Sequence, residues 1–243
     1  MADTLKLTAD AYFDNVQIVS FFSIPFLLAF AIPLLSPMPT YLALGATFLR
    51  TGSMYVDLTM LDAAVIVAAF LLSLFLVSFA IVAINLVIKS QRTFTSVKKE
   101  VINSIGKYVL NVFWLYLTAW ALLLIVDLVG YEFALNNWFL PVAGIIVSAP
   151  LFFAPAAIVI DEQAPFQALK TSVAVIGKQP KLVLLWLLLA IASISAIDLL
   201  FMNLRAVIPF TQVLVLVANS LFIMPFLVMY QTQIYLTKYT ILR

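Results

Sequence analysis

No charged side chain interrupts residues 63–88, which read AAVIVAAFLLSLFLVSFAIVAINLVI. A bilayer core of about 30 Å is crossed by roughly 20 apolar residues in an α-helix, which rises about 1.5 Å per residue. This stretch is long enough to cross a membrane once. The rest of the chain has the same character, since 65% of the 243 residues are hydrophobic and 10% are charged. Soluble domains are about 45–50% apolar and about 25% charged, so the composition indicates an integral membrane protein.

Five further segments are similarly apolar, and we predict one all-α membrane domain with six transmembrane helices. The first helix is expected to end before Pro37 and Pro39, with Tyr41–Leu44 lying along the membrane interface in the loop that follows. The fifth helix reaches Met202 if the Asp198 carboxylate lies near the lipid headgroups. The predicted spans cover residues 16–36, 63–88, 108–129, 139–160, 182–202 and 210–236.

Lysine and arginine set the expected orientation, because cytoplasmic loops collect them. With six spans, eleven of the 13 basic residues fall on one side, and only Arg50 and Arg205 fall on the other. Both termini are therefore predicted to be cytoplasmic, in the plasma membrane of a prokaryote. The N-terminal segment carries Asp3, Asp10 and Asp14 and lacks the basic start of a cleavable signal peptide, so the first helix is expected to remain in the protein.

The sequence contains an internal similarity. Residues 105–128 align without a gap with residues 176–199, and both begin with Ile-Gly-Lys. The aligned stretches also match at Asp127 and Asp198, each 20 residues beyond its lysine. Leu-Phe pairs recur in the second, fourth and sixth spans. These similarities predict three related units, each an amphipathic cytoplasmic segment followed by a transmembrane hairpin.

Three segments between or before spans have the apolar period of an amphipathic helix. They cover residues 4–15, 93–105 and 165–176, and Gly106 and Gly177 are expected to end the second and third. The apolar stripe of the third segment consists of Phe166, Leu169, Val173 and Ile176. Pro165 suits its first turn, and Asp161 and Glu162 are expected to act as a helix-start cap. Such helices lie in the headgroup plane.

Residues 150–189 carry an ordered pattern. An apolar helix with Pro155 leads into Asp161-Glu162, then into Pro165-Phe-Gln-Ala-Leu-Lys-Thr-Ser172, then into Gly177-Lys178 and a new span. This pattern resembles the polytopic membrane domain associated with glycerophosphodiester phosphodiesterases and with related uncharacterised prokaryotic, including archaeal, multi-span membrane proteins. The resemblance implies a helical membrane bundle with cytoplasmic interfacial helices. It carries over no catalytic residues, because the phosphodiesterase chemistry of that family belongs to a separate soluble domain.

Two carboxylates near the spans, Asp127 and Asp198, are candidate functional residues, because ionisable groups in lipid are costly and often functional. As transport residues they would bind a proton or cation at equivalent positions of the repeat. As interfacial residues they would lie about 30 Å beyond the lysine that opens each helix, at the opposite membrane surface. Arg205 is then a candidate ion-pair partner of Asp198.

Amides and prolines within the spans also have two interpretations. The amides either line a pathway or hydrogen-bond between helices as packing contacts, and the prolines either interrupt helices around a site or produce plain kinks. The amides are Asn85, Asn111, Asn219, Gln231 and Gln233, and the prolines are Pro25, Pro33, Pro150, Pro155 and Pro225.

Basic residues on the predicted cytoplasmic side form a candidate docking surface for lipid headgroups or for a partner protein. Its members are Lys98, Lys99, Lys107, Lys170, Lys178 and Lys181. The enrichment of lysine in cytoplasmic loops, which sets the orientation of a membrane protein, also explains these residues without a docking role. Nucleic acid is not an expected partner, because the patch is small and lacks exposed interleaved aromatic residues.

The composition argues against enzyme chemistry and against a cofactor or metal. The chain has no histidine and no cysteine, which removes imidazole bases, thiolates, zinc and iron–sulfur ligation. It has no phosphate-binding loop and no nucleophile elbow. Two hypotheses remain. The first is a structural or accessory subunit that organises a partner protein or lipid, alone or as a homo-oligomer, and the second is a small transporter or channel that uses the repeat interface.

Overall fold

The chain folds into a helical bundle with one short β-hairpin. The computed structural model describes residues 2–37, 40–43, 45–49, 59–93, 97–133, 138–204, 208 and 210–239. The helices in this part of the chain are α1 (Ala2–Asp14), α2 (Val16–Leu35), α3 (Met60–Thr93), α4 (Val97–Glu132), α5 (Phe139–Ser148), α6 (Ala154–Ile160), α7 (Pro165–Lys178), α8 (Pro180–Leu204), α9 (Thr211–Ala218) and α10 (Met224–Leu236). The strands are β1 (Thr40–Ala43) and β2 (Ala46–Leu49).

Six helical segments within the described residues are long and apolar enough to cross a membrane, as the sequence predicted. The first, second and fifth spans are the single helices α2, α3 and α8, and the third span is α4 from Ile105 onward. The remaining two are composite, since α5 with α6 makes the fourth span and α9 with α10 makes the sixth. The predicted all-α class and the number of spans are thus confirmed.

The core is concentrated at one end of the bundle. Here α3 packs between α2 and α4, α6 packs against α3, and α10 contacts α1, α3 and α8. Six of the seven residues of α6 are buried, from Ala154 to Val159, whereas no residue of α5 is buried. Lys89, Lys107, Lys178 and Lys238 lie at this well-packed end, which we call the basic end.

One predicted helix boundary is wrong. A separate amphipathic helix over residues 93–105 was expected to end at Gly106, but α4 continues unbroken through Gly106 to Glu132. A glycine inside a helix costs only about 1 kcal/mol relative to alanine, which is too little to end a helix whose flanks are both helical. The two Gly-Lys pairs also differ in structure, because Gly177-Lys178 lies in the separate helix α7. The other two expected amphipathic helices correspond to α1 and α7, but α7 includes Gly177, which was expected to end it, and ends at Lys178.

The loop after α2 contains a short β-hairpin. Residues 41–43, which were predicted to lie along the membrane interface, belong to β1, which pairs antiparallel with β2 in the register Thr40 to Leu49 and Ala43 to Ala46. Leu44 lies outside the described residues. The hairpin packs against α2 and α9.

Prolines act differently in different spans. α2 is continuous through Pro25 and Pro33. The fourth span is interrupted, because a 3₁₀ turn at Ala149–Leu151 follows α5 and two non-helical residues precede α6. In the sixth span a π-helical segment, Asn219–Ile223, lies between α9 and α10, and Pro225 is the second residue of α10. Such π segments are rare and are often found at functional sites.

Candidate functional site

The loop between α6 and α7 anchors the main polar cluster of the basic end. Asp161, the first residue after α6, accepts a hydrogen bond of 2.5 Å at Oδ2 from the hydroxyl of Tyr235 on α10. Lys238 forms an ion pair with the same oxygen, and the hydroxyl of Tyr239 donates to Oδ1. The Lys238 and Asp161 side chains are only 18% and 11% exposed. One carboxylate thus fixes the end of the last helix to the loop.

Glu162 makes the second ion pair of the cluster. Its backbone has a φ of 54°, in the left-handed region that non-glycine residues rarely occupy. Its Oε1 lies 2.8 Å from Nζ of Lys89, whose amine also donates a 3.3 Å hydrogen bond to the hydroxyl of Tyr108. Hydrogen bonds from Lys89 and Tyr108 hold the pKa of the Glu162 carboxyl below its ordinary value. The unusual backbone conformation directs this carboxylate toward α3 and α4.

Gln163 connects the loop to α7. Its Oε1 accepts a 2.8 Å hydrogen bond from the hydroxyl of Thr171, and its Nε2 donates to Asp161 at 3.4 Å. The predicted capping role of Asp161 and Glu162 is wrong, because the N-cap of α7 is Ala164 and receives no side-chain cap. The two carboxylates instead form ion pairs with Lys238 and Lys89 of other parts of the bundle.

The interruption of the fourth span lies beside this cluster, and its free backbone groups have partners. The backbone N–H of Phe153 donates a 2.9 Å hydrogen bond to Oγ of Ser172 on α7, and the Gln231 amide donates to the carbonyl of Phe152. Trp186 of α8 packs edge-on against Phe152, with ring centroids 4.8 Å apart. Its indole N–H donates a 2.8 Å bond to the carbonyl of Leu227. Side chains from α7, α8 and α10 therefore stabilise the break.

The face of α7 that packs on the bundle consists of small side chains. Ala168, Ser172 and Val175 are buried. Two members of the predicted apolar stripe, Phe166 and Val173, are 70% and 52% exposed. The other two, Leu169 and Ile176, are partly buried against the core. The stripe therefore points partly outward, because small residues at a four- and three-residue spacing allow a closer approach to α6 than the larger ones do.

A second polar arrangement lies at the hairpin. Gly45, with φ of 67°, is buried against the π segment, and its carbonyl accepts a 3.3 Å hydrogen bond from the amide of Asn219. The hydroxyl of Thr47 donates a 2.5 Å bond to the carbonyl of Phe30 on α2. Tyr12 of α1 donates to the carbonyl of Phe222 at 3.4 Å, within the same π segment. The π segment is thus held by the hairpin and by α1.

The predicted carboxylates lie away from the polar cluster. Asp127 is exposed near the end of α4, and Asp198 is half-buried near the end of α8. The described part of the chain shows neither of them in an ion pair. Arg205, the expected partner of Asp198, lies outside the described residues.

The predicted docking lysines are placed as follows. Lys107 is exposed on α4, with Nζ 5.7 Å from the centre of the Tyr108 ring. Lys170 is exposed on α7, with Nζ 4.7 Å from the centre of the Phe166 ring. Lys178 and Lys181 are exposed where α7 meets α8. Lys98 and Lys99 belong to the first turn of α4, and their side chains lie outside the described part.

Sequence reasoning missed the partners of the two loop carboxylates. These partners are Lys89, Tyr108, Tyr235, Lys238 and Tyr239. A signal was present for three of them, because Tyr235, Lys238 and Tyr239 are spaced by three and four residues and so share one helix face. The cluster places two carboxylates against two ammonium groups and joins α3, α4, α6, α7 and α10. Within the ranges described, no three Asp or Glu side chains converge as a metal site would need.

Comparison with protein-family models, with curated proteins and with solved structures finds no match for this chain. The fold itself defines the class, which is that of multi-pass α-helical membrane proteins.

Proposed function

We propose that the chain is a non-enzymatic structural or accessory subunit of a prokaryotic plasma membrane, with both termini and the basic end in the cytoplasm. In this role it organises a partner protein or membrane lipid through α7 and the neighbouring lysines. The observation that carries the proposal is the division of α7 into two faces. One face is fixed to the bundle by small side chains, and the other leaves Phe166, Lys170 and Val173 exposed.

Two hydrogen bonds hold α7 in a fixed position on the bundle, and this supports the proposal. Ser172 is bonded to the interrupted fourth span, and Thr171 is bonded to Gln163 in the loop. A helix attached at two points presents its outer face in one orientation. Preorganisation of this kind reduces the entropy that is lost when a partner binds.

The charge distribution supports the same role. The two carboxylates nearest to α7 are Asp161 and Glu162, and each is engaged by a lysine of another helix. In the described part of the chain no ion pair involves Lys170, Lys178 or Lys181. These three lysines therefore present positive charge to an external group.

The resemblance to the membrane domain associated with glycerophosphodiester phosphodiesterases adds to the proposal. In that family the membrane domain accompanies a separate soluble domain that carries the chemistry. A comparable arrangement here gives the membrane bundle an accessory role beside a protein that does other work.

The experiment is purification of the chain from native membranes in mild detergent, followed by mass determination of everything that is retained. We expect a stoichiometric protein partner or a defined lipid. Charge reversal by Lys170→Glu with Lys178→Glu should weaken the complex, and so should reversal at Lys98 and Lys99. Lys6→Glu, at an exposed lysine of α1, is the matched control. Unchanged assembly in both reversed variants would refute the docking role.

A second candidate function is a small transporter or channel, and the interrupted spans favour it. Discontinuous helices near the membrane centre are typical of transporters built from repeats, and the fourth and sixth spans both depart from the α-helix. This mechanism requires Asp127 or Asp198 to bind the transported ion. Asp127→Asn or Asp198→Asn should then abolish flux in proteoliposomes while the protein remains folded. Normal flux in both variants would remove this mechanism.

A further inference from the structure

We propose that the outer face of α7 and the first turn of α8 bind the headgroups of anionic phospholipids through Lys170 and Lys178 of α7 and Lys181 of α8. This inference rests on the proposed function, and it names lipid rather than protein as the occupant of that face. The two lysines of α7 are eight residues apart, or about 12 Å along the helix axis.

The position of α7 favours lipid as the occupant. Ser172 bonds to the backbone of Phe153, which precedes α6 and so lies about 10 Å before the end of the fourth span. α7 therefore packs against the flank of the bundle and does not project above it. The outward side of a flanking helix near the end of a span faces the boundary between headgroups and acyl chains.

The composition of the outer face fits that boundary. Phe166, Lys170, Val173 and Gly177 follow one another at spacings of four, three and four residues, and all four are exposed. The Lys170 amine lies 4.7 Å from the centre of the Phe166 ring, so a cation and an aromatic surface are presented together. Amphipathic helices with apolar and basic residues at this spacing lie in the interface of anionic membranes.

Charge selects an anionic headgroup over a zwitterionic one. Residues 163–181 contain three lysines and no acidic residue. Glu162 is the nearest carboxylate in the sequence, and it pairs with Lys89 on α3 at 2.8 Å. Positive charge on α7 is consequently left for the membrane surface, where each basic residue raises affinity for anionic lipid about fivefold.

The test uses the full chain without any partner protein. The protein is reconstituted into nanodiscs that contain phosphatidylcholine and phosphatidylglycerol in equal amounts, then extracted into mild detergent, and the retained lipids are identified by native mass spectrometry. We expect the wild-type chain to retain phosphatidylglycerol preferentially. The triple variant Lys170→Gln, Lys178→Gln and Lys181→Gln should lower that preference by about fivefold or more.

Two control variants keep the result interpretable. Replacement of the same three lysines by arginine preserves charge and should preserve the preference, and Lys6→Gln removes an exposed lysine elsewhere and should also leave it unchanged. Size-exclusion profiles and melting temperatures report folding of each variant. Equal retention of the two lipids by the wild type, or an undiminished preference in the triple glutamine variant, would overturn the lipid assignment. The lipid assignment and the proposed accessory function can fail separately. If the nanodisc test shows no lipid preference but the Lys170→Glu, Lys178→Glu variant loses a native protein partner, the accessory function stands and only the lipid assignment is refuted.

Discussion

The hydroxyl of Tyr235 donates a 2.5 Å hydrogen bond to Oδ2 of Asp161, across 74 residues of sequence. The same carboxylate pairs with Lys238 and accepts a hydrogen bond from Tyr239. The loop between α6 and α7 is thereby joined to the end of the last helix. Because the lysine and the aspartate are both largely buried, the contact is sensitive to loss of charge.

We predict that Asp161→Asn lowers the free energy of unfolding by about 3 kcal/mol, because it leaves the largely buried Lys238 ammonium without its counter-ion. The measurement is unfolding by SDS in mixed detergent micelles. Glu162→Gln is the comparison, since the Glu162 side chain is 54% exposed and an exposed ion pair contributes less than about 1 kcal/mol. If the two variants lose equal amounts of unfolding free energy, the assignment of the stronger contact to Asp161 is wrong.

The Glu162–Lys89 pair predicts a specific dependence on pH. Lys89 and Tyr108 lower the pKa of Glu162 from its ordinary value of 4.5 in the folded protein, so the carboxylate binds its proton less readily there than in the unfolded chain. The resulting stabilisation is present above pH 4.5 and is lost as the pH falls through the depressed folded-state pKa. The difference in stability between wild type and Glu162→Gln should therefore be small, constant from pH 5 to 7, and absent in stronger acid.

Melting temperatures recorded across this range for both proteins test the pH prediction. A difference that grows as the pH falls would mean that protonated Glu162 is the stabilising form. That outcome would contradict the pairing with Lys89.

Gly45 provides a test of the hairpin. A Cβ at this position would lie 2.7 Å from Cβ of Asn219 and 2.9 Å from the carbonyl oxygen of Val215, and the backbone φ is positive. Gly45→Ala should therefore destabilise the protein by about 2 kcal/mol or more, through steric overlap and backbone strain. Gly144→Ala is the matched control, because a Cβ at Gly144 in α5 meets nothing within 4 Å. Alanine there should stabilise the helix by about 0.5–1 kcal/mol.

The two glycine variants are compared in the same detergent by thermal unfolding. The predicted shifts have opposite signs. Destabilisation by Gly144→Ala as large as that by Gly45→Ala would show that the close contact with Asn219 is not the cause.

The six spans were predictable because membrane crossing depends on length and hydropathy, which are local properties. The positions at which the fourth and sixth spans depart from the α-helix were not predictable in this way. Pro25 and Pro33 leave α2 continuous, whereas the fourth span is interrupted around Pro150 and Pro155. The difference lies in neighbours distant in sequence, since Ser172 and Gln231 supply partners for the freed backbone groups of that break.

The polar cluster shows the same limit. Sequence placed Asp161 and Glu162 before a helix, and a capping role follows from local rules alone. Their actual partners are Lys89, Lys238 and the nearby tyrosines, on helices that only the tertiary fold brings to the loop. Exposed lysines of α7, in contrast, were identified from sequence, because their exposure follows from helical period and charge.

Ser172 tests how α7 is attached to the bundle. Its hydroxyl is buried and accepts the N–H of Phe153, so Ser172→Ala leaves a buried donor without a partner and should cost about 1–3 kcal/mol. Ser148→Ala is the control, because Ser148 is exposed and, among the residues that the structure describes, its hydroxyl bonds only to the carbonyl of Ile145 in its own helix. Its effect should stay within about 0.5 kcal/mol. Hydrogen exchange by mass spectrometry should show faster exchange at Phe153 and along α7 in Ser172→Ala only. Unchanged exchange in α7 would mean that the contact with Thr171 and the packing of Ala168 and Val175 hold the helix without this bond.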